Sequence, residues 1–331
     1  MAGRFRWTIL LRFLAGAALV AGLFRLIGRD SLRAAAAPIQ AHPGWIAAAL
    51  ALTFIALVAG AVRWQAILRF LGLPAPFPRI CRGYFIGQFF NAFLFGACGG
   101  DLARAVIAAH DHPARRPEAV TSVFLDRAIG LMVTLLFGGA MVLSRLGDLA
   151  GHPGARPALL LMGGFLAAAA GLLALLFTGH LFDRVPWLNR WQHRGRIGPL
   201  LRRAYEALFR FRRQPRGLFG PALLSIANLL LLAAAAAALA RALELELAFR
   251  DLLVVFPVVT VLAALPLTPG SFGIREGLYI QLLQPFGVAA GPALMLSLLG
   301  YLAGTFWSLA GGLLLLRGNP RPAAPAPDSR A

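Results

Sequence analysis

Lysine is absent from this chain of 331 residues, and charged residues of every kind make up only 14% of it. Because the Gly-x-x-x-x-Gly-Lys loop that binds ATP requires lysine, the sequence contains no such loop. All 32 basic residues are arginine, and with 13 acidic residues they give a net charge of +19. Arginine in place of lysine, with frequent alanine, is typical of a biased genome composition, so the charge does not indicate nucleic-acid binding.

Cysteine is scarce, and the histidines are not clustered. Cys81 falls in a predicted loop and Cys98 in a predicted membrane segment, so neither a disulfide framework nor a cysteine metal site is supported. Six histidines fall in predicted loops without ligand spacing, namely His42, His110, His112, His152, His180 and His193. A membrane enzyme needs a nucleophile with a base, or a cluster of metal ligands. We therefore expect no cofactor, no metal and no enzymatic activity.

Apolar runs dominate what is present. Hydrophobic residues make up 59% of the chain and the mean hydropathy is +0.73, which is more than one soluble core can bury. Six runs have about the length of a spanning helix: residues 8–27, 45–62, 120–143, 157–177, 218–239 and 289–316. For the first run a cleaved signal peptide is the alternative, since small residues follow at 34–37. The sequence predicts an all-α polytopic membrane protein.

The arginines predict its orientation, because arginine-rich short loops mark the cytoplasmic side. One predicted loop holds Arg63, Arg69, Arg79 and Arg82. Residues 183–216 carry ten arginines against two acids, whereas residues 241–251 carry three acids against two arginines. Both termini are therefore predicted in the cytoplasm. Within residues 183–217, apolar residues near helical spacing predict an interfacial helix on anionic lipid, and a positive loop that only fixes topology is the alternative.

Two apolar segments are interrupted. Residues 84–98 are short for a span and end in Gly99, Gly100 and Asp101, before an apolar return over residues 102–109. Residues 252–286 break at Pro269 and its neighbouring prolines and glycines. Irregular backbone at membrane depth is tolerated only where it is buried in protein or lines a cavity. We predict two re-entrant hairpins of opposite orientation; for the first, a plain third helix is the alternative.

The two interrupted segments align without a gap. Residues 94–104 and 265–275 superpose Gly99 on Gly270 and Arg104 on Arg275. Corresponding breaks in two halves of a chain are typical of a transporter's binding site. Together with the six spans, they favour an inverted-repeat transporter.

Several short motifs occur in order along the chain: Arg63 with Trp64, Gly87 with Asn91, Gly99-Gly100-Asp101 with Arg104, Asp126-Arg127 with Gly130, and Pro269-Gly270 with Gly273 and Glu276. In this order and spacing the chain resembles the lysylphosphatidylglycerol synthase transmembrane region, or flippase-like family, over about residues 8–316. The resemblance implies an inner-membrane protein that moves or handles lipids, with relatives near hopanoid genes. The aminoacyl-transferase domain of other relatives is absent, so we expect no aminoacyl transfer.

The candidate lipid-binding residues are the charged residues inside the apolar segments, since such charges are costly at membrane depth, together with the glycine, proline and asparagine residues beside them. The candidates are Arg275, Glu276, Gly270, Gly273, Pro269, Arg104, Asp101, Gly99, Gly100, Asn91, Asp126 and Arg127. Arg275 and Glu276 follow a break where helix N–H groups can hold a phosphate, and as neighbours on a helix each is expected to need another partner. Structural alternatives are an Asp101–Arg104 bridge and an interfacial anchor at residues 126–127; Asn91 and Gln88 are either polar lining or interhelical contacts.

The sequence thus predicts one integral-membrane domain over residues 1–317 and a disordered proline-rich tail over residues 318–331. We expect a lipid transporter that handles an anionic phospholipid, a polyprenyl phosphate or a hopanoid-related lipid. The alternative is a binding or scaffold protein that does not transport. Expected partners are membrane lipids and enzymes of lipid biosynthesis.

Overall fold

The computed structural model describes residues 29–93, 99–147, 156–178, 216–264 and 271–316, with the single positions 22, 25 and 151. Within these residues all regular structure is helical, which confirms the all-α class. The α-helices are α1 (Arg29–Ala36), α2 (Pro43–Phe70), α3 (Phe77–Phe93), α4 (Gly99–Asp111), α5 (Arg116–Ser144), α6 (Arg156–Thr178), α7 (Arg216–Ala242), α8 (Phe249–Ala263), α9 (Ile274–Leu283) and α10 (Ala290–Leu316). Short 3₁₀ turns occupy Ala37–Gln40, Pro113–Arg115 and Gln284–Phe286.

Helix α2 illustrates how the sequence begins and ends these elements. Pro43 occupies its first turn, where the fixed φ of proline suits a helix start. Gly72, with a φ of 72°, follows its end in the left-handed conformation that closes many helices. The helix therefore contains Arg63 and Arg69, and α3 contains Arg79, Cys81 and Arg82, although all five were predicted in a loop. That prediction was wrong because a charged residue can continue a helix when a partner from another helix meets it.

Four helices are long and apolar enough to cross a membrane: Pro43–Phe70, Pro113–Ser144, Gly217–Ala242 and Ala290–Leu316. They coincide with four of the six predicted spans. The predicted span 157–177 lies in α6, where the shorter apolar helix Arg156–Ala168 is found.

Other predictions fall on residues that the structure leaves undescribed. They are the first span at 8–27, apart from Gly22 and Arg25, the bends at 94–98 and 265–270, the basic segment at 183–215 and the tail at 318–331. These remain predictions.

Helices α3 and α4 pack as an antiparallel pair. Arg79 Nε and Asp111 Oδ2 lie 4.0 Å apart where α3 begins and α4 ends. At the other end of the pair, the N–H of Gly100 donates to Asn91 Oδ1 over 2.8 Å. Helix α4 therefore returns to the end of the molecule from which α3 started.

Helices α8 and α9 form a second pair of the same kind. Ser271 Oγ, just before α9, donates to the carbonyl of Ala263 at the end of α8. At the opposite end, Arg145 Nη2 pairs with Asp251 Oδ1 at 2.7 Å, and its guanidinium lies 5.9 Å from the ring centroid of Phe286. Because Asp251 lies in the first turn of α8 and Phe286 follows α9, the two outer ends of this pair meet.

The two pairs pack at opposite ends of the helix bundle. The α3–α4 pair shares a buried cluster with the N-terminal part of α5, including Val123 and Leu125. The α8–α9 pair shares a different cluster with the C-terminal part of α5, including Leu135 and Val142. The pairs therefore enter the bundle from opposite directions, and their inner ends approach each other near its middle.

Candidate functional site

A cavity of about 380 Å³ lies where the inner ends of the two pairs meet. Its polar lining residues are Thr53, Gln88, Asn91, Thr260, Ser271, Arg275, Tyr279, Ser297, Tyr301, Thr305 and Ser308. Apolar residues such as Leu57 and Phe256 complete the wall. Of the described residues that line it, Arg275 alone is charged. A cavity of this size with convergent polar groups can hold a small ligand or the headgroup of a larger one.

Arg275 is held in place from several sides. Its Nε donates to Ser297 Oγ over 3.1 Å, and its Nη2 donates to the carboxylate of Glu276. Its guanidinium lies 4.6 Å from the ring centroid of Tyr301 and 5.6 Å from that of Phe272. The side chain is only 15% exposed. Because these contacts fix the arginine in advance, less conformational entropy is lost when a ligand binds.

Glu276 supports Arg275 from behind and is itself fully buried, with 0% exposure. Its Oε2 accepts the N–H of Gly273 over 2.6 Å, and its Oε1 lies 3.4 Å from Ser297 Oγ. Each residue therefore has another partner as expected, but the premise that these neighbours on the helix would not pair with each other was wrong. Glu276 is the third residue of α9 and turns back to the N-cap, as a glutamate in a capping box does, so its carboxylate comes within reach of Arg275.

Tyr301 on α10 connects the two helix pairs across the cavity. Its hydroxyl donates to the carbonyl of Ala92 at the end of α3 over 3.3 Å, while the guanidinium of Arg275 lies over its ring. Sequence reasoning missed Tyr301 and Ser297. The signal was present, because residues 297, 301, 305 and 308 repeat at helical spacing and place four hydroxyl groups on one face of α10.

A second charged cluster lies away from the cavity, around Asp126. This aspartate is 1% exposed; its Oδ1 accepts from Arg63 Nε over 2.7 Å and its Oδ2 from Arg104 Nη2 over 2.8 Å. Asp101 continues the cluster, 3.6 Å from Arg104 and 3.4 Å from Arg127. The predicted Asp101–Arg104 bridge is thus confirmed. The interfacial anchor at residues 126–127 is wrong for Asp126, which is buried among charges of other helices.

This cluster joins four helices. Arg63 on α2 also donates to Ser225 on α7 over 3.1 Å, and Arg104 on α4 lies 4.3 Å from the ring centroid of Trp64. Asp126 on α5 accepts from both arginines. Buried ion pairs of this kind are costly to break, because one missing partner leaves a charge uncompensated. Sequence reasoning missed the role of Arg63, because its pairing with Asp126 on α5 depends on which helices pack together.

Three motif glycines make room for this cluster and for the α3–α4 contact. A Cβ on Gly87 would lie 2.7 Å from Arg104 Cγ, and one on Gly130 would lie 3.0 Å from Arg63 Nη1. A Cβ on Gly100 would lie 2.1 Å from the carbonyl oxygen of Gly87. These glycines therefore permit backbone and arginine side chains to approach closely.

The two aligned segments do not have equivalent surroundings. Arg104 lies in the Asp126 cluster and Arg275 in the cavity, so their alignment in sequence does not bring them together. The helix N-termini are also partly occupied, since the N–H of Gly100 is bound by Asn91 and that of Gly273 by Glu276.

The other predicted site residues are distributed as follows. Asn91 lines the cavity, while Gly99 is buried at the start of α4. Pro269 and Gly270 lie outside the described residues. The lipid-binding role of every candidate stays a prediction. In the described part of the chain, no three His, Cys, Asp or Glu residues group as metal ligands.

Comparison with protein families gives a match over most of the chain. The sequence model of a family described as the lysylphosphatidylglycerol synthase TM region matches residues 9–312. No curated protein matches the chain.

Proposed function

Because the chain belongs to the lysylphosphatidylglycerol synthase transmembrane-region family, we propose that this membrane protein is a lipid transporter that binds the phosphate of an anionic lipid at Arg275. The lipid is a phospholipid, a polyprenyl phosphate or a hopanoid-related lipid that carries an anionic group. The protein moves this lipid between the leaflets of the bacterial inner membrane and catalyses no chemical step.

The observation that carries the proposal is the placement of Arg275 in a largely apolar cavity. Nε and Nη2 of Arg275 are engaged, whereas Nη1 has no hydrogen-bond partner among the described residues. Glu276 does not line the cavity, so a ligand there meets the guanidinium rather than the carboxylate. Arginine binds phosphate through charge-assisted hydrogen bonds. The hydroxyl groups of Ser297 and Thr305 add uncharged partners for the rest of a headgroup.

The fold supports movement as well as binding. The α3–α4 and α8–α9 pairs reach the cavity from opposite ends of the bundle, which is the arrangement of inverted-repeat transporters with a site near the midplane. We propose that both pairs are re-entrant hairpins, that six helices span the membrane and that both termini are cytoplasmic. The tails of the lipid remain in the bilayer while its headgroup passes through the cavity.

A reconstitution experiment tests this proposal. The purified protein is placed in vesicles that contain a fluorescent phosphatidylglycerol, a fluorescent polyprenyl phosphate or a fluorescent hopanoid, and an impermeant reductant bleaches the outer leaflet. For an anionic lipid we expect the reductant to bleach more fluorescence than the outer leaflet contains, because the protein brings lipid from the inner leaflet to the outer one. In Arg275→Ala we expect this additional bleaching to be lost. The matched control is Arg250→Ala, which removes an exposed arginine outside the cavity.

The outcomes separate transport from binding. Transport would be rejected if bleaching were limited to the outer leaflet for every lipid. If lipid then still co-purified with the protein and was lost in Arg275→Ala, the protein would be a binding protein that associates with lipid-biosynthesis enzymes. Equal activity of Arg275→Ala and Arg250→Ala would remove Arg275 from the site.

A further inference from the structure

Arg127 is a partly exposed arginine inside an apolar helix segment. It lies about seven residues after the start of the apolar run 120–143, which places it about 10 Å inside that run at 1.5 Å per residue. Its side chain is 35% exposed. On the same helix face, one turn away, Phe124 is 52% exposed. The charge thus opens onto the outer surface of the bundle within the apolar part of the helix.

A charge in this position requires a polar neighbour. Insertion of an arginine at the centre of a membrane helix costs about 2.5 to 3.5 kcal/mol, so such residues pair or face water. Asp101, 3.4 Å away and 21% exposed, is the charged partner of Arg127 among the described residues. The exposed surface of α4 and α5 therefore has a polar notch, formed by Arg127 and Asp101, between apolar side chains such as Leu102.

The charges of the cluster do not balance. Three arginines, Arg63, Arg104 and Arg127, meet two aspartates. Both oxygens of Asp126 are taken by Arg63 and Arg104, and Asp101 is shared between Arg104 and Arg127. The cluster therefore has a formal surplus of one positive charge, and Arg127 is its most exposed arginine. An anion that approaches from the surface can compensate that surplus.

The notch is connected to the cavity wall through the start of α4. Asp101 follows Gly100, whose N–H is held by Asn91, and Asn91 lines the cavity.

We propose that the notch formed by Arg127 and Asp101 is a lateral portal, at which the phosphate of a membrane lipid docks on Arg127 while its tails remain in the bilayer. The ligand class is an amphiphile whose phosphate headgroup has a net negative charge. The inference rests on the exposure, depth and charge of Arg127 and does not require that Arg275 bind lipid.

A quenching experiment tests the portal without a transport step. In a variant lacking Cys81 and Cys98, a fluorophore is attached to Phe124→Cys beside the notch, or to Leu143→Cys at the end of the same apolar run as the matched control. Leu143 is 69% exposed and lies closer to an end of the run 120–143 than Phe124 does. The vesicles are phosphatidylcholine with an anionic phospholipid that carries a nitroxide on its headgroup. Depth alone therefore predicts stronger quenching at residue 143.

We expect the opposite order, with stronger quenching at residue 124. Arg127→Ala should abolish the excess, and Arg127→Gln, which keeps hydrogen-bonding groups near Asp101, should do the same if the alanine variant is less stable. Arg69→Ala, an exposed arginine at the end of α2, should have no effect. A transport-inactive Arg275→Ala protein should still show the excess, so this result is independent of the cavity.

Competitors identify the ligand. Unlabelled phosphatidylglycerol should remove the excess quenching, whereas diacylglycerol and inorganic phosphate should not. Equal competition by diacylglycerol would overturn phosphate recognition, and equal competition by inorganic phosphate would overturn a lipid as its source. Quenching that is unchanged in Arg127→Ala would overturn the portal itself.

Discussion

At the scale of single residues, Arg275 has two roles that one substitution cannot separate. It is the ion-pair partner of the fully buried Glu276 and the charged residue of the cavity wall. Asp101 pairs with Arg104 and Arg127 in the other cluster, so Glu276 is the acid that Arg275 neutralises. The informative second substitution is therefore at Glu276.

We predict that Arg275→Ala lowers the free energy of unfolding by about 3 to 5 kcal/mol, because it leaves a buried carboxylate unpaired. Arg275→Ala combined with Glu276→Gln should recover part of that stability, since the unpaired charge is removed. Lipid movement should stay lost in the double variant. Thermal unfolding in detergent measures the stability, and the vesicle assay measures the lipid movement. Recovery of stability and lipid movement together would mean that the pair is purely structural.

The Asp126 cluster gives a different expectation. Asp126→Ala should destabilise the protein by about 3 to 5 kcal/mol, because it leaves Arg63 and Arg104 without their shared carboxylate. The control Glu246→Ala removes an exposed acid and should change stability by less than about 0.5 kcal/mol. Unfolding temperatures in detergent check this. An Asp126→Ala protein as stable as the control would show that the cluster contributes nothing to the fold.

At the scale of helices, the contact between α3 and α4 depends on two glycines, Gly87 and Gly100, which have no side chain. Gly87 leaves the space that Arg104 occupies, and Gly100 lies against the carbonyl of Gly87. The pair can pack this closely because neither glycine carries a Cβ.

Gly87→Ala should therefore destabilise the protein by about 1 to 3 kcal/mol, as overpacked substitutions do. Gly163 on α6 is the matched control, since a Cβ there would meet nothing within 4 Å. Gly163→Ala should be neutral or stabilising by up to about 1 kcal/mol, because alanine favours a helix. Both are measured by thermal unfolding. A Gly87→Ala protein that matches the control would mean that α3 and α4 are less closely packed than described.

At the scale of the whole molecule, the membrane orientation can be measured by cysteine labelling. The variants lack Cys81 and Cys98 and carry one cysteine each at Pro74, Ala114 or Glu246, all exposed positions. If α3 and α4 form a re-entrant hairpin, Pro74→Cys and Ala114→Cys should label from the cytoplasmic side and Glu246→Cys from the outside.

The alternative outcome is equally definite. If residues 77–111 crossed the membrane, Pro74→Cys and Ala114→Cys would label from opposite sides. Labelling of all three positions from one side would reject the orientation assigned from the arginine distribution.

The sequence alone determined the all-α class and the membrane environment, and it predicted the two interrupted segments. These properties are local: hydropathy over about 20 residues predicts a span, and proline and glycine end a helix where they stand. The Asp101–Arg104 bridge was also predictable, because side chains three positions apart on one helix lie next to each other.

Only the tertiary structure decided which charges meet. Arg63 pairs with Asp126, 63 residues later in the chain, and Tyr301 joins Ala92 to Arg275. Arg104 and Arg275, aligned in sequence, lie in different surroundings. The reason is physical: a side chain's partner depends on how separate helices pack, and neither hydropathy nor spacing within one segment contains that information.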